Sequence, residues 1–152
     1  QLSWAKDVNL SINFIDKLNI EIIEYKPIGL LFYNNQLFYF SKDGKIIDKF
    51  REEINESLII FYGNQASKEA YNLLNVINKT ETINMIKEAY YINERRWNVK
   101  LYNNILLNLS EINIEESFKN YIKLIKKINN SDIITIKSID LRDSEKVIIS
   151  FK

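Results

Sequence analysis

The chain has 152 residues, 46% apolar and 27% charged, with a net charge of +1: about one globular domain's worth, long enough to bury a core without cross-links. Its charges are interspersed, whereas nucleic-acid modules carry a clustered basic excess. Cysteine and histidine are both absent, which excludes disulfides, Cys-based zinc sites and thiol catalysis and removes the commonest general base and metal ligand.

From Gln1 to Trp4 there is neither an initiator Met nor a signal-peptide pattern, and the longest apolar run, 28–33, is far too short to cross a bilayer. The sequence reads as a piece of a longer protein, with any membrane anchor upstream. Asn9 to Phe14 and Leu18 to Glu24 alternate apolar with polar residues around Asp16-Lys17, predicting a hairpin. Pro27 breaks the ladder and marks a boundary.

Short strands follow. Leu30 to Tyr33 and Gln36 to Phe40 flank Asn34-Asn35, and Asp43-Gly44 separates Phe40 from Ile46-Ile47; these turn residues tolerate the positive φ of tight hairpins. Leu58 to Phe61 is an apolar strand ending at Gly63. From Ala66 to Ile77 the period changes, with Ala70, Leu73, Leu74 and Ile77 on one helical face. A second short helix is expected through Ile83 and Ile86, then strand from Lys87 to Leu101, a turn at Asn103-Asn104, and strand again from Ile105 to Leu109.

Asn113 with Glu116 has the spacing of a capping box. The helix it opens turns Ile114, Phe118, Ile122, Ile125 and Ile128 inward and Lys119, Lys123, Lys126 and Lys127 outward. Ile133 to Leu141 and Lys146 to Phe151 complete the set. The expected fold is α+β: a mostly antiparallel or mixed sheet covered by about two helices.

An enzyme needs a nucleophile with a base, a metal site or a cofactor cradle. The three glycines, at 29, 44 and 63, are isolated, so no phosphate-binding loop or dinucleotide fingerprint is present. Glu52-Glu53 and Glu115-Glu116 fit the acids that helix N-termini attract. A Ser-Lys dyad is not singled out by any spacing, and no catalytic, metal or cofactor site is assigned. The strand aromatics Tyr33, Phe38, Tyr39 and Phe40 read as core and cross-strand partners.

Two features invite a binding reading. Arg occurs at four positions only, 51, 95, 96 and 142, and two of them sit side by side before Trp97. Alternation puts Trp97, Val99 and Leu101 on one face and Arg96, Asn98 and Lys100 on the other. Arg95 is expected to bend to a carboxylate such as Glu94 or to stack on an aromatic. Surface ion pairing and partner recognition explain the pair equally well. The second feature is Lys146 to Phe151, strongly strand-forming. At a sheet edge it is a template for a partner's strand, and inside the sheet it is ordinary core.

Together, several segments resemble the bacterial cell-division family FtsQ, called DivIB in other lineages. "SWAKDVNLSINFIDKLNIEIIEYKPIGLL" is similar to its strand pair ending in Glu-x-x-Pro, here Glu24 and Pro27. "LFYFSKDGKII", "INERRWNVKLYNNILLNLSE" and "IDLRDSEKVIISF" resemble its strand-turn-strand, Arg-Arg-Trp hairpin and closing Asp-Leu-Arg segment, in the same order. The resemblance implies the last strand pair of a truncated POTRA domain at 1–27 and a whole β domain at 28–152. It further implies a single-pass inner-membrane protein with this part in the periplasm. Such a protein is a non-enzymatic division scaffold that uses neither cofactor nor nucleic acid and binds FtsB and FtsL. The partner site it implies is the edge of Lys146, Val147, Ile148, Ile149, Ser150 and Phe151, with charge contacts from Arg142 and one of Arg95 and Arg96. Family members known best carry an aromatic where this chain has Asp143. Two other classes remain: a POTRA-type module assisting outer-membrane protein assembly, and a Ser-Lys hydrolase.

Overall fold

The computed structural model describes residues 3–13, 17–51 and 58–152. The expected strand end at Phe14, the turn residue Asp16 and the pair Glu52-Glu53 lie outside the described residues.

β1 (Ala5–Asn13) and β2 (Lys17–Glu24) form a two-stranded antiparallel ribbon. Its register sets Val8 opposite Ile22, Leu10 opposite Ile20 and Ile12 opposite Leu18, so the pleat gathers six aliphatic side chains on one face. All six are exposed, Ile12 by 79%. The base of the ribbon is tied where Tyr25 N–H donates to the Trp4 carbonyl at 2.8 Å.

The main sheet is built from β3 (Gly29–Tyr33), β4 (Gln36–Phe40), β5 (Ile46–Lys49), β6 (Ile60–Tyr62), β7 (Ile86–Ile92), β8 (Arg96–Leu101), β9 (Leu106–Leu109), β10 (Ile136–Leu141) and β11 (Ile148–Phe151). Their spatial order is β11-β10-β9-β8-β7-β6-β3-β4-β5. Five of the neighbouring pairs are antiparallel, and β3–β6, β6–β7 and β9–β10 are parallel. The parallel pairs require crossovers. Helix α1 (Ala66–Lys79) carries the chain from β6 to β7, and helix α2 (Ile114–Ile125) carries it from β9 towards β10. The fold is α+β, as the sequence predicts.

Both helices lie on one face of the sheet. Ala70, Leu73 and Ile77 of α1 and Phe118 and Tyr121 of α2 close over Phe61, Ala89, Trp97, Val99, Leu107 and Ile139. Phe61 meets Trp97 edge to face, ring centroids 5.7 Å apart, a preferred aromatic geometry. The N-cap of α2 forms as expected: the Asn113 side chain accepts from Glu116 N–H at 3.1 Å. The Asn113 N–H donates to Ser110 Oγ at 3.4 Å, a bond that the capping-box spacing assigns to the Glu116 carboxylate.

Several boundaries differ from expectation. Lys87 to Leu101 is a hairpin, turned by Asn93 and Glu94 at φ of 51° and 52°. Glutamate rarely holds a positive φ, so nothing in its chemistry signals the turn. The short helix through Ile83 and Ile86 is one 3-10 turn, Ile83–Met85, and Ile86 already opens β7. The strand expected from Leu58 is β6, beginning at Ile60. A short helix α3 (Asn130–Ile133) takes the expected start of β10, and β11 starts at Ile148, which leaves Lys146 and Val147 in the preceding loop.

The opposite face of the sheet is partly covered. Leu30, Tyr39 and Ile47 form a second cluster beneath Trp4, Tyr25, Leu37 and Phe50. Next to it Tyr62 stacks on Tyr90 at 4.8 Å. Buried Glu88 accepts a hydrogen bond from the Tyr90 hydroxyl and pairs with Lys100 at 3.4 Å.

Candidate functional site

A nine-stranded open sheet has two edges, and edges of native sheets are normally blunted. Here the two edges differ. Next to β5 the Asp48 carboxylate folds back onto its own strand: Oδ1 accepts from Lys49 N–H at 2.8 Å, and Oδ2 accepts from Ser3 Oγ at 3.1 Å and Trp4 Nε1 at 3.2 Å. These bonds, the backbone one foremost, hold the Asp48 carboxyl below the usual range. A backbone donor of the edge strand is thereby occupied by a charge.

β11 has no such cover. Among the described residues only β10 is bonded to it. Ile149, opposite Ile139, packs on the main core and anchors the strand, while Ile148 is 63% and Phe151 60% exposed. Among the described residues, ordinary interior pairing on both sides therefore does not apply to β11. The outer side presents an unpaired backbone with apolar side chains.

The arginines take four different places. Arg51 reaches Asp48 at 3.4 Å. Arg95 pairs with Glu111 at 2.9 Å, not with Glu94, which instead accepts a hydrogen bond from Asn64. Both members of the Arg95 pair are exposed, so the bridge contributes little. Arg142 turns back on Asp140 of its own segment, with Nε 2.9 Å from each carboxylate oxygen. That clamp keeps the Asp140 carboxyl below its ordinary range and the Arg142 guanidinium above its own. Arg96 makes no ion pair within 4.0 Å among the described residues, and its Nε is buried without a hydrogen-bond partner.

The expected residues fall into two neighbouring groups. A 450 Å³ depression beside β11 is lined by Asp140, Arg142, Asp143, Lys146 and Ile148. A 240 Å³ depression is lined by Arg96, Ser110, Glu111, Ile112 and Arg142, so Arg142 stands between the two. Arg95 lines neither. Ser110 and Ile112 escape the sequence reading because only the pairing of strands brings them to the arginines, whereas Asp140 lies two residues from Arg142 in the chain. What these surfaces offer is backbone hydrogen bonds, aliphatic side chains and guanidinium groups, the chemistry of recognition. Among the described residues no cluster of three potential metal ligands exists, and no helix is long and apolar enough to cross a membrane.

Residues 31–142 match the family model described as cell division protein FtsQ/DivIB, C-terminal; the match includes all the candidate arginines and stops before β11. The cell division protein FtsQ of Rickettsia bellii is 33% identical over 147 residues, 96% of this chain and 54% of the relative. FtsQ of Rickettsia felis is 31% identical over the same shares, and that of Bradyrhizobium diazoefficiens is 24% identical over 96% of this chain and 43% of the relative. The chain thus spans about half the length of the relatives it resembles most among these. The major extracytoplasmic domain of the cell division protein DivIB from Geobacillus stearothermophilus aligns over 70% of this chain and 99% of its own, at 10% identity and a TM-score of 0.39.

Proposed function

The chain belongs to the FtsQ/DivIB family of cell-division proteins, and from that membership we propose that it is a non-enzymatic scaffold of the division machinery that binds FtsB and FtsL by accepting a strand on β11. One observation carries the reading: of the sheet's two edges, the one beside β5 is blunted by Asp48 and the one at β11 is open and apolar. Strand addition needs an unpaired backbone for affinity and alternating side-chain contacts for specificity. Ile148, Ser150 and Phe151 supply these on β11, with Lys146 and Val147 in the loop before it and Ile149 holding the strand to the core. Arg95, Arg96 and Arg142 give the surroundings a positive character suited to an acidic partner.

In this reading residues 1–27 are the end of a POTRA domain and 28–152 are the β domain. The ribbon's exposed aliphatic face is what such a strand pair shows without the elements that pack on it. The whole protein sits in the inner membrane by a single upstream span, with this part in the periplasm. No relative described above favours outer-membrane protein assembly or hydrolysis.

The test is a calorimetric titration with the extracytoplasmic C-terminal segment of the FtsB-like protein from the same organism. A dissociation constant near micromolar, about −8 kcal/mol, is expected, and loss of binding on deleting residues 146–152. Unchanged binding by the shortened chain would exclude β11 as the site.

A further inference from the structure

The ribbon leaves the main sheet through a very short connection. β2 ends at Glu24, and Ile28 N–H already donates to the Phe40 carbonyl at 2.9 Å. Pro27 has a fixed φ and confines Lys26 to extended backbone, so the connection has little freedom of its own. The rung that closes the ribbon, Tyr25 N–H to the Trp4 carbonyl, carries one aromatic side chain from each strand. Both rings pack on the cluster of Leu30, Tyr39 and Ile47. They are half-buried, whereas every residue of β2 is exposed.

The polar ends of the two rings go to different residues at the β5 edge. Trp4 Nε1 donates to Asp48 Oδ2 at 3.2 Å, and the same oxygen accepts from Ser3 Oγ at 3.1 Å and Arg51 Nη2 at 3.4 Å. The Tyr25 hydroxyl accepts from Lys45 Nζ at 2.7 Å. Lys45 and Asp48 are three residues apart, at most roughly 10 Å along the chain. A small, polar junction ordinarily lets the parts it joins swing against each other, because a single attachment leaves rotation about itself. Two attachments set apart on one edge, together with a stiff connection, remove that rotation.

We propose that this junction is a rigid joint, in which Asp48 and Lys45 are positioning residues that fix the direction in which the ribbon leaves the sheet. β5 and β11 stand at opposite ends of the strand order. Eight strand spacings of about 4.8 Å separate them, roughly 38 Å across the sheet. The joint therefore holds the ribbon, and whatever packs on its apolar face, in one direction and well away from β11. Asp48 has two tasks: it occupies a backbone donor of the edge strand through Oδ1 and holds the ribbon through Oδ2. The joint goes beyond the strand-addition reading and does not depend on it.

The chain contains no cysteine, so Ser11→Cys on β1 and Asn75→Cys on α1, both exposed, give two unique sites for spin labels. Pulsed electron resonance then reads the distance between ribbon and main body. A second pair, Asn75→Cys with Lys137→Cys on β10, lies wholly within the main body and reports its integrity. The joint predicts one narrow distance distribution for the ribbon pair. Lys45→Ala combined with Asp48→Ala should abolish that single peak and leave the main-body pair unchanged. Trp4→Phe combined with Tyr25→Phe keeps both rings and loses both polar contacts, and should have the same effect. Lys49→Ala, next to Asp48 on the same edge, should leave the peak as it is. A broad ribbon distribution in the otherwise unaltered chain would overturn the joint. A peak that survives Lys45→Ala with Asp48→Ala, or that is lost only together with the main-body distance, would overturn the roles of these two residues. No partner segment is added, so failure of the joint and failure of strand addition are read separately.

Discussion

Arg142 and Asp140 are two residues apart on an extended segment, which sets both side chains on the same face, where they close into a clamp. The arginine faces solvent, with 51% of its side chain exposed against 20% for Asp140. Arg142→Ala should therefore lower the unfolding free energy by less than about 1 kcal/mol, measured by urea denaturation. A larger loss would make the residue structural and remove it from the partner site. The sign of its pH dependence follows from the lowered Asp140 pKa. The contribution is fully present above the unfolded carboxylate value of 3.8 and is lost as pH falls through the lower folded value. Wild type and Arg142→Ala should thus converge in stability in acid. Glu88 presents a different case. It is 8% exposed and relies on the Tyr90 hydroxyl and Lys100. Burial, and then the bond to Glu88, push the Tyr90 hydroxyl pKa well up, so it stays protonated and remains the donor. Tyr90→Phe leaves the carboxylate short of a partner and should cost about 1–3 kcal/mol in the same urea experiment.

At the scale of elements, local chemistry was readable wherever one residue type forces one conformation. Asn34 and Asn35 hold φ of 47° and 58° and turn β3 into β4, and Asn113 caps α2. Asn113→Ala should cost about 1 kcal/mol by urea denaturation. The turn at Asn93-Glu94 was not readable, since its second residue has no turn preference. The place of β11 was not readable either. Its sequence suits a central strand as well as an edge. It becomes an edge because α2 returns the chain parallel to β9 and the final hairpin then falls outside β10, a consequence of non-local pairing. The fate of Arg95 has the same origin: Glu111 lies across the β8–β9 hairpin, whereas Glu94 is its neighbour in sequence only.

In the molecule as a whole, ribbon and main sheet meet through a small contact centred on Trp4. Its ring lies 5.3 Å from Tyr39 and its Nε1 donates to Asp48. Among the described residues the ribbon adds nothing to the main core between sheet and helices. Removing residues 1–26 should therefore leave a chain that unfolds cooperatively and keeps its affinity for the partner segment. It should be less stable by about 1–3 kcal/mol for the uncovered second cluster. Failure of the shortened chain to fold would make the ribbon an integral part of the sheet domain and contradict the proposed boundary at Pro27.

The central claim is that a partner strand joins β11. Amide hydrogen exchange of the full chain, alone and saturated with the FtsB-like segment, tests it most directly. Strand addition predicts slowed exchange concentrated in residues 148–151, where backbone N–H groups on the outer side of β11 gain acceptors, with β5 and the ribbon unchanged. Protection appearing on the β1–β2 ribbon or at β5, with β11 exchanging as in the free chain, would contradict it.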